Sequence, residues 1–154
     1  MSDRVLLDTN ILVYLYDIAE KSKRERALTV VDELIRTTRA VISPQVMGEF
    51  FQAVTRSRRP LLTQEEALAR IRQYLIACEV VPITELIVLE ATRGVESYQF
   101  SYWDAQIWAT ARLNQITTVY SEDFNSGATI EGIHFVNPLN GASSLPVRRI
   151  RNEH

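Results

Sequence analysis

The sequence predicts an α/β protein: a three-layer α/β/α sandwich around a mainly parallel sheet of about five strands. Three observations predict it. Short apolar runs recur at residues 4–7, 40–43, 79–83, 117–121 and 133–136. Longer segments with apolar residues at helical spacing separate most of them. Strands alternating with helices make βαβ units, whose parallel sheets are covered on both faces.

The totals suit that architecture. With 154 residues, 46% hydrophobic and 23% charged, the chain has the composition of an ordered globular protein. Residues 1–154 read as one domain, with a tail from about 140 that is extended or mobile. A net charge of −2 gives no global positive field, so any surface for nucleic acid must be local. The single cysteine, Cys78, rules out an intrachain disulfide and a Cys-rich zinc site. The amino terminus lacks the pattern of a signal peptide, and no apolar run approaches the roughly 18 residues that span a bilayer. A cytoplasmic location without membrane attachment is expected.

Along the chain, Val5-Leu6-Leu7 is a buried strand that breaks at Asp8-Thr9-Asn10. Thr9 and Asn10 are good caps, and capping by Asp8 itself is the plain alternative to a role for it at a site, so a short helix is expected over about 10–17. Residues 21–26 are densely charged, read as a solvated face, and lead into a helix over about 24–37. Ser43 caps the next helix, with Pro44 in its first turn. Its apolar stripe is Val46, Met47, Phe50, Phe51 and Val54, with Glu49 among them. A basic loop at 56–59 precedes a helix over 63–77 that opens on the capping-box pair Thr63 and Glu66. Helices follow at about 84–97 and 101–111, the second well buried and carrying Asp104 in its first turns. Tyr102 and Trp103, beside Asp104, read as core residues rather than as a stacking surface. Glu122-Asp123 stands just past the fourth strand, and residues 148–151 form a basic, mobile tail.

Right-handed crossovers put the carboxyl ends of all parallel strands on one edge of the sheet, where such folds place ligands. Asp8 and Asp123 follow strands, and Glu49 and Asp104 lie on helices that start near that edge. Four acids from four distant segments therefore have a route to converge. Packed carboxylates repel one another and some take up protons unless a cation joins them. An oxygen-only set suits Mg²⁺ or Mn²⁺, and the matching chemistry is phosphodiester hydrolysis by a metal-activated water. Neither His134 nor His154 is placed for a general base or a ligand.

Four motifs resemble the PIN-domain ribonucleases, and within them the VapC-type toxins of toxin–antitoxin pairs. They are Leu7-Asp8-Thr9-Asn10-Ile11-Leu12-Val13-Tyr14, Ser43-Pro44-Gln45-Val46-Met47-Gly48-Glu49-Phe50, Ser101-Tyr102-Trp103-Asp104-Ala105 and Ser121-Glu122-Asp123-Phe124. The resemblance covers nearly the whole chain and implies a PIN-like fold and a metal-dependent endoribonuclease. By it, Asp8 and Asp104 are the firmest metal ligands. Glu49 binds the metal directly or through water, or orients the attacking water. Asp123 is the variable fourth acid, with Glu122 the alternative one residue away. Thr9, Asn10 and Ser121 look like groups that fix the acids. The resemblance also implies an RNA substrate, a cognate antitoxin whose tail fills the groove, and a homodimer, with the helices at about 24–37 and 63–77 as contact surfaces. Three other readings stay open: a PIN-like nuclease in RNA processing, a non-catalytic PIN-like binding module, and a HAD-like phosphatase. The last needs a second Asp where this chain has Asn10.

Overall fold

Val5–Leu7 (β1) is completely buried and pairs in parallel with strands on both sides. The computed structural model describes residues 3–124 and 127–140. One neighbour of β1 is Ala40–Ile42 (β2), which in turn pairs with Glu79–Val80 (β3) at the edge. The other is Thr118–Tyr120 (β4), beside Ile133–Val136 (β6). A two-residue strand, Thr129–Ile130 (β5), closes the far edge antiparallel to β6. The order is β3-β2-β1-β4-β6-β5, parallel except at the last pair. The α/β fold with its mainly parallel sheet is thus the one the sequence predicts, with one strand more.

That extra strand belongs to a hairpin whose turn, Glu131-Gly132, has positive φ at both positions (50° and 85°). Such a turn twists with the strands it joins. Only Gly132 takes this backbone freely.

The helices are Thr9–Val13 (α1), Lys21–Arg36 (α2), Pro44–Thr55 (α3), Gln64–Ala77 (α4), Glu85–Tyr98 (α5) and Tyr102–Leu113 (α6). Their starts are chemically marked. Ser43, Thr84 and Ser101 each accept the backbone N–H of the third helical residue, and Thr63 and Glu66 complete a reciprocal capping box. Two expectations need correction. The first helix, capped by Asp8, does not run to 17: after Val13 it tightens into a 3₁₀ turn, Tyr14–Tyr16. The charge run of 21–26 is not merely solvated. Lys23 pairs with Glu122 at 2.6 Å, while Arg24 and Arg26 donate to the Leu15 and Pro138 carbonyls. These bonds tie α2 to the chain around it. The basic tail at 148–151 lies outside the described residues.

The core is built from β1, β2 and β4 together with the inner faces of the helices. Trp108 on α6 is fully buried and donates its indole N–H to the Ile130 carbonyl at 3.1 Å. Gly94 on α5 makes room for it: a Cβ there would lie 2.9 Å from the indole. Gly48 on α3, by contrast, faces open space.

Alanine is therefore expected to act with opposite sign at the two glycines. Gly94→Ala should lose about 1–3 kcal/mol through overpacking. Gly48→Ala should gain about 0.5–1 kcal/mol from helix propensity. Urea unfolding, read as a shift of midpoint at constant slope, checks both.

Candidate functional site

At the carboxyl end of β1 the chain must leave the sheet, and Asp8 makes the exit. Its backbone N–H continues the ladder to Tyr120 at 2.9 Å, while its side chain caps α1 by accepting the Thr9 N–H at 2.8 Å. The second carboxylate oxygen accepts the Ser121 hydroxyl at 2.7 Å, 113 residues along the chain. Only 5% of Asp8 is exposed. Parallel register, with Leu7 opposite Tyr120, brings these residues together.

Ser121 serves two acids. Its Oγ donates to Asp8 and accepts the backbone N–H of Asp123 at 3.1 Å. Glu49, half-buried on α3, accepts the Thr9 hydroxyl at 2.6 Å and the Gln45 amide at 3.2 Å. Asp104 enters from the first turn of α6, where its backbone N–H is held by the cap Ser101. Asp8, Glu49, Asp104 and Asp123 all line one open cavity of about 450 Å³. Sequence reasoning named these four, and the fold brings all four to one place.

The neighbouring acids Glu122 and Asp123 part company. Asp123 lines the cavity. Glu122 turns aside to accept the Tyr14 hydroxyl at 2.7 Å and the Lys23 ammonium at 2.6 Å, and its backbone N–H donates to the Asn10 side chain. Asn10 thus holds the turn after β4 instead of capping a helix.

The electrostatics are those of uncompensated negative charge. Burial pushes the Asp8 carboxyl up to about 6; the hydrogen bonds from Ser121 and Thr9 oppose this, and the charges of Asp123 and Glu49 add to it. Asp104 is raised above the ordinary carboxylate range by burial first, then by the same two neighbours. Among the described residues, no ion pair involves any of the four. Carboxylate oxygens without His or Cys fit a hard divalent cation. Among the described residues no three candidate ligands stand in coordination geometry. Mg²⁺ does not require that, because it keeps several waters and takes one or two carboxylates with substrate phosphate.

Two functional neighbours carried no sequence signal. Gln106, nearly buried on α6, donates to Gln45 at 2.9 Å and accepts the Tyr102 hydroxyl at 2.7 Å. Gln45 then donates to Glu49 and to the Trp103 carbonyl, so α6 and α3 fix Glu49 together. A glutamine inside a helix looks like any polar helix residue. Trp103 is also misplaced by the sequence reading. It is 57% exposed on the cavity wall, not packed in the core, and Tyr102 is half-buried.

Comparison with known proteins now adds to the geometry. Residues 5–126 match the family model described as the PIN domain. No curated protein matches the sequence. Among solved structures, a toxin–antitoxin complex from Klebsiella pneumoniae is similar with a TM-score of 0.65 at 23% identity, covering 87% of this chain and 97% of the other. VapC20 of Mycobacterium tuberculosis, a toxin that cleaves the sarcin–ricin loop, has a TM-score of 0.62 at 18% identity, covering 82% and 97%. VapBC2 from Rickettsia felis, bound to a DNA fragment of its promoter, has 0.63 at 17%, covering 86% and 97%. At such identities the likeness is one of fold.

The raised Asp8 pKa sets a pH dependence with divalent ions chelated. The folded state binds a proton that the unfolded state has released, between pH 4 and 6. Stability from this group is therefore present below pH 4 and lost as pH rises through 6. Compared with Asp8→Asn, the wild type should lose up to about 3 kcal/mol between pH 4 and 7. Denaturant melts of both proteins at several pH values check this; a constant difference would show that Asp8 ionises normally.

Proposed function

The chain belongs to the PIN domain family, and from that footing we propose that it is a metal-dependent endoribonuclease, the toxin of a toxin–antitoxin pair. The observation that carries the reading is the convergence of Asp8, Glu49, Asp104 and Asp123 on one open cavity without a cationic partner. Charge of one sign held in place costs stability, and a site that binds a cation and a phosphate gives it a use.

Asp8 and Asp104 would hold Mg²⁺ or Mn²⁺, with Glu49 and Asp123 reaching it directly or through water. Such an ion supplies Lewis-acid polarisation of a phosphoryl oxygen. The remaining work falls to the chain. Ser121 and the Thr9 N–H fix both oxygens of Asp8, so that acid does not swing when substrate arrives. Thr9 and Gln45 fix Glu49 from two sides, which leaves its oxygens oriented to receive a proton from the attacking water. In the reaction the water oxygen bonds to phosphorus, one water proton passes to the Glu49 carboxylate, and the bond to the ribose oxygen breaks as that oxygen takes a proton from solvent water and leaves as the hydroxyl. Asn10 stands where a phosphatase of the HAD type needs its second Asp, and its side chain is engaged by the Glu122 N–H. The phosphatase reading has no support from this site.

The same cavity suits neutralisation by a basic side chain of an antitoxin, and homodimerisation and a cytoplasmic setting complete the proposal. Among the described residues no helix is long and apolar enough to cross a membrane.

The test is cleavage of a mixed pool of structured RNAs by the purified protein in Mg²⁺, in Mn²⁺ and in EDTA, beside Asp8→Asn and Asp104→Asn. Cleavage should require metal and should fall on the order of 100-fold or more in either variant, while both remain folded. Undiminished cleavage in either variant, or in EDTA, would remove the site assignment. Growth arrest relieved by the product of an adjoining reading frame distinguishes a toxin from an RNA-processing enzyme.

A further inference from the structure

Two aromatic rings line the cavity among the described residues, Tyr14 and Trp103, and they are held very differently. Tyr14 is engaged. Its hydroxyl donates to Glu122, and the Lys23 ammonium lies 5.0 Å from the ring centroid. Trp103 is fixed at its base, and most of the residue is exposed. It sits in the first turn of α6, one residue before Asp104, and its carbonyl accepts the Gln45 amide. The Tyr102 and Trp103 rings form a T-shaped pair, with centroids 4.9 Å apart and planes at 86°. More than half of the residue nevertheless faces solvent, at 57% exposure.

An isolated exposed indole has no general meaning on a protein surface. This one stands beside Gln45, Glu49 and Asp104 on a wall that also carries Val13, Ala53 and Ile107. The cavity volume, about 450 Å³, is that of a small-ligand site. No Lys or Arg lines the cavity among the described residues, so no side chain there attracts the phosphates of nucleic acid directly. Beside the phosphate that a bound cation would take, a flat indole offers affinity to any base whose faces are free.

We propose that Trp103 is the stacking platform for an unpaired nucleobase next to the phosphate being cut, and so selects single-stranded segments of RNA. A base within a duplex has both faces covered by its neighbours and cannot use the ring. The proposal rests on the nuclease reading for the identity of the ligand, and its test separates the two. Tyr102 and Gln106 become part of the same device, because the hydrogen-bonded line from Tyr102 through Gln106 to Gln45 ends on the Trp103 carbonyl as well as on Glu49.

The chain has two tryptophans, and Trp108 is completely buried. Changes in quenching by iodide therefore report on Trp103. The measurement uses the full chain with Ca²⁺ to neutralise the carboxylates, a mixed-sequence single-stranded RNA of about a dozen nucleotides, and the duplex of the same sequence. Gels confirm that the RNA stays intact. Single-stranded RNA should quench Trp103 and shield it from iodide, and the duplex should do so far less. By anisotropy of end-labelled RNA, a readout that does not need Trp103, Trp103→Ala should weaken binding by roughly 5- to 150-fold, the range for losing one base stack, and Trp103→Phe should recover most of it. Equal binding by Trp103→Ala and wild type would overturn the proposal. So would shielding from iodide that appears with rising protein concentration and no RNA, because a second copy of the chain would then own the ring. Stacking that depends on Trp103 in a protein that never cleaves RNA would keep this inference and defeat the nuclease reading.

Discussion

Everything at the cavity depends on one buried carboxylate. Asp8 closes the sheet at its centre, starts a helix and faces the other acids at once. The hydrogen bond from Ser121 makes those tasks compatible. An ionised Asp at this depth costs several kcal/mol unless its oxygens find donors. Here both do, one locally and one across the sheet. The donors hold the charge without cancelling it, so the site keeps a charge that the fold alone has no reason to keep.

From that point outward, side chains support one another across elements that are remote in sequence. Thr9 binds Glu49, Gln45 binds Glu49 and the backbone of α6, and Ser121 joins Asp8 to Asp123. Small polar residues do this work because a hydroxyl both donates and accepts, and an amide bridges two partners at a fixed distance. The separation of Glu122 from Asp123 follows the same logic. A turn pinned by Asn10 sends adjacent acids to different surroundings, one to Lys23 and Tyr14 and the other to the cavity.

Much of this was legible in the sequence. Alternating apolar runs and caps such as Ser43, Thr63 and Ser101 announce their elements through local chemistry that tertiary context did not override. The four acids were legible as a set because parallel topology gathers strand ends at one edge. What escaped notice has specific causes. Thr129–Ile130 is too short for any periodicity, and its Glu-Gly turn is not the usual hairpin dipeptide. Asp8 was legible as a cap or as a site acid but not as both, because a carboxylate that serves two purposes shows only one by residue type. Gln45 and Gln106 have no pattern to betray them, since only the meeting of α3 and α6 makes them partners. Trp103 was taken for core because buried residues fill the rest of its helix, although the helix end where it sits projects to the cavity.

The long reach of the Ser121–Asp8 bond also governs when the site can exist during synthesis. β1, β2 and β3 and the helices between them lie within the first 80 residues, whereas the strand that completes the cavity starts at Thr118. A chain emerging from the ribosome can pair its first three strands early, but it has neither Ser121 nor Asp123 until almost all of the described fold has been made. Closing a contact across 113 residues is a late event in any folding order that begins locally. Nascent and truncated chains therefore lack the complete cavity, and the four acids meet only after the sheet has been sealed through its middle.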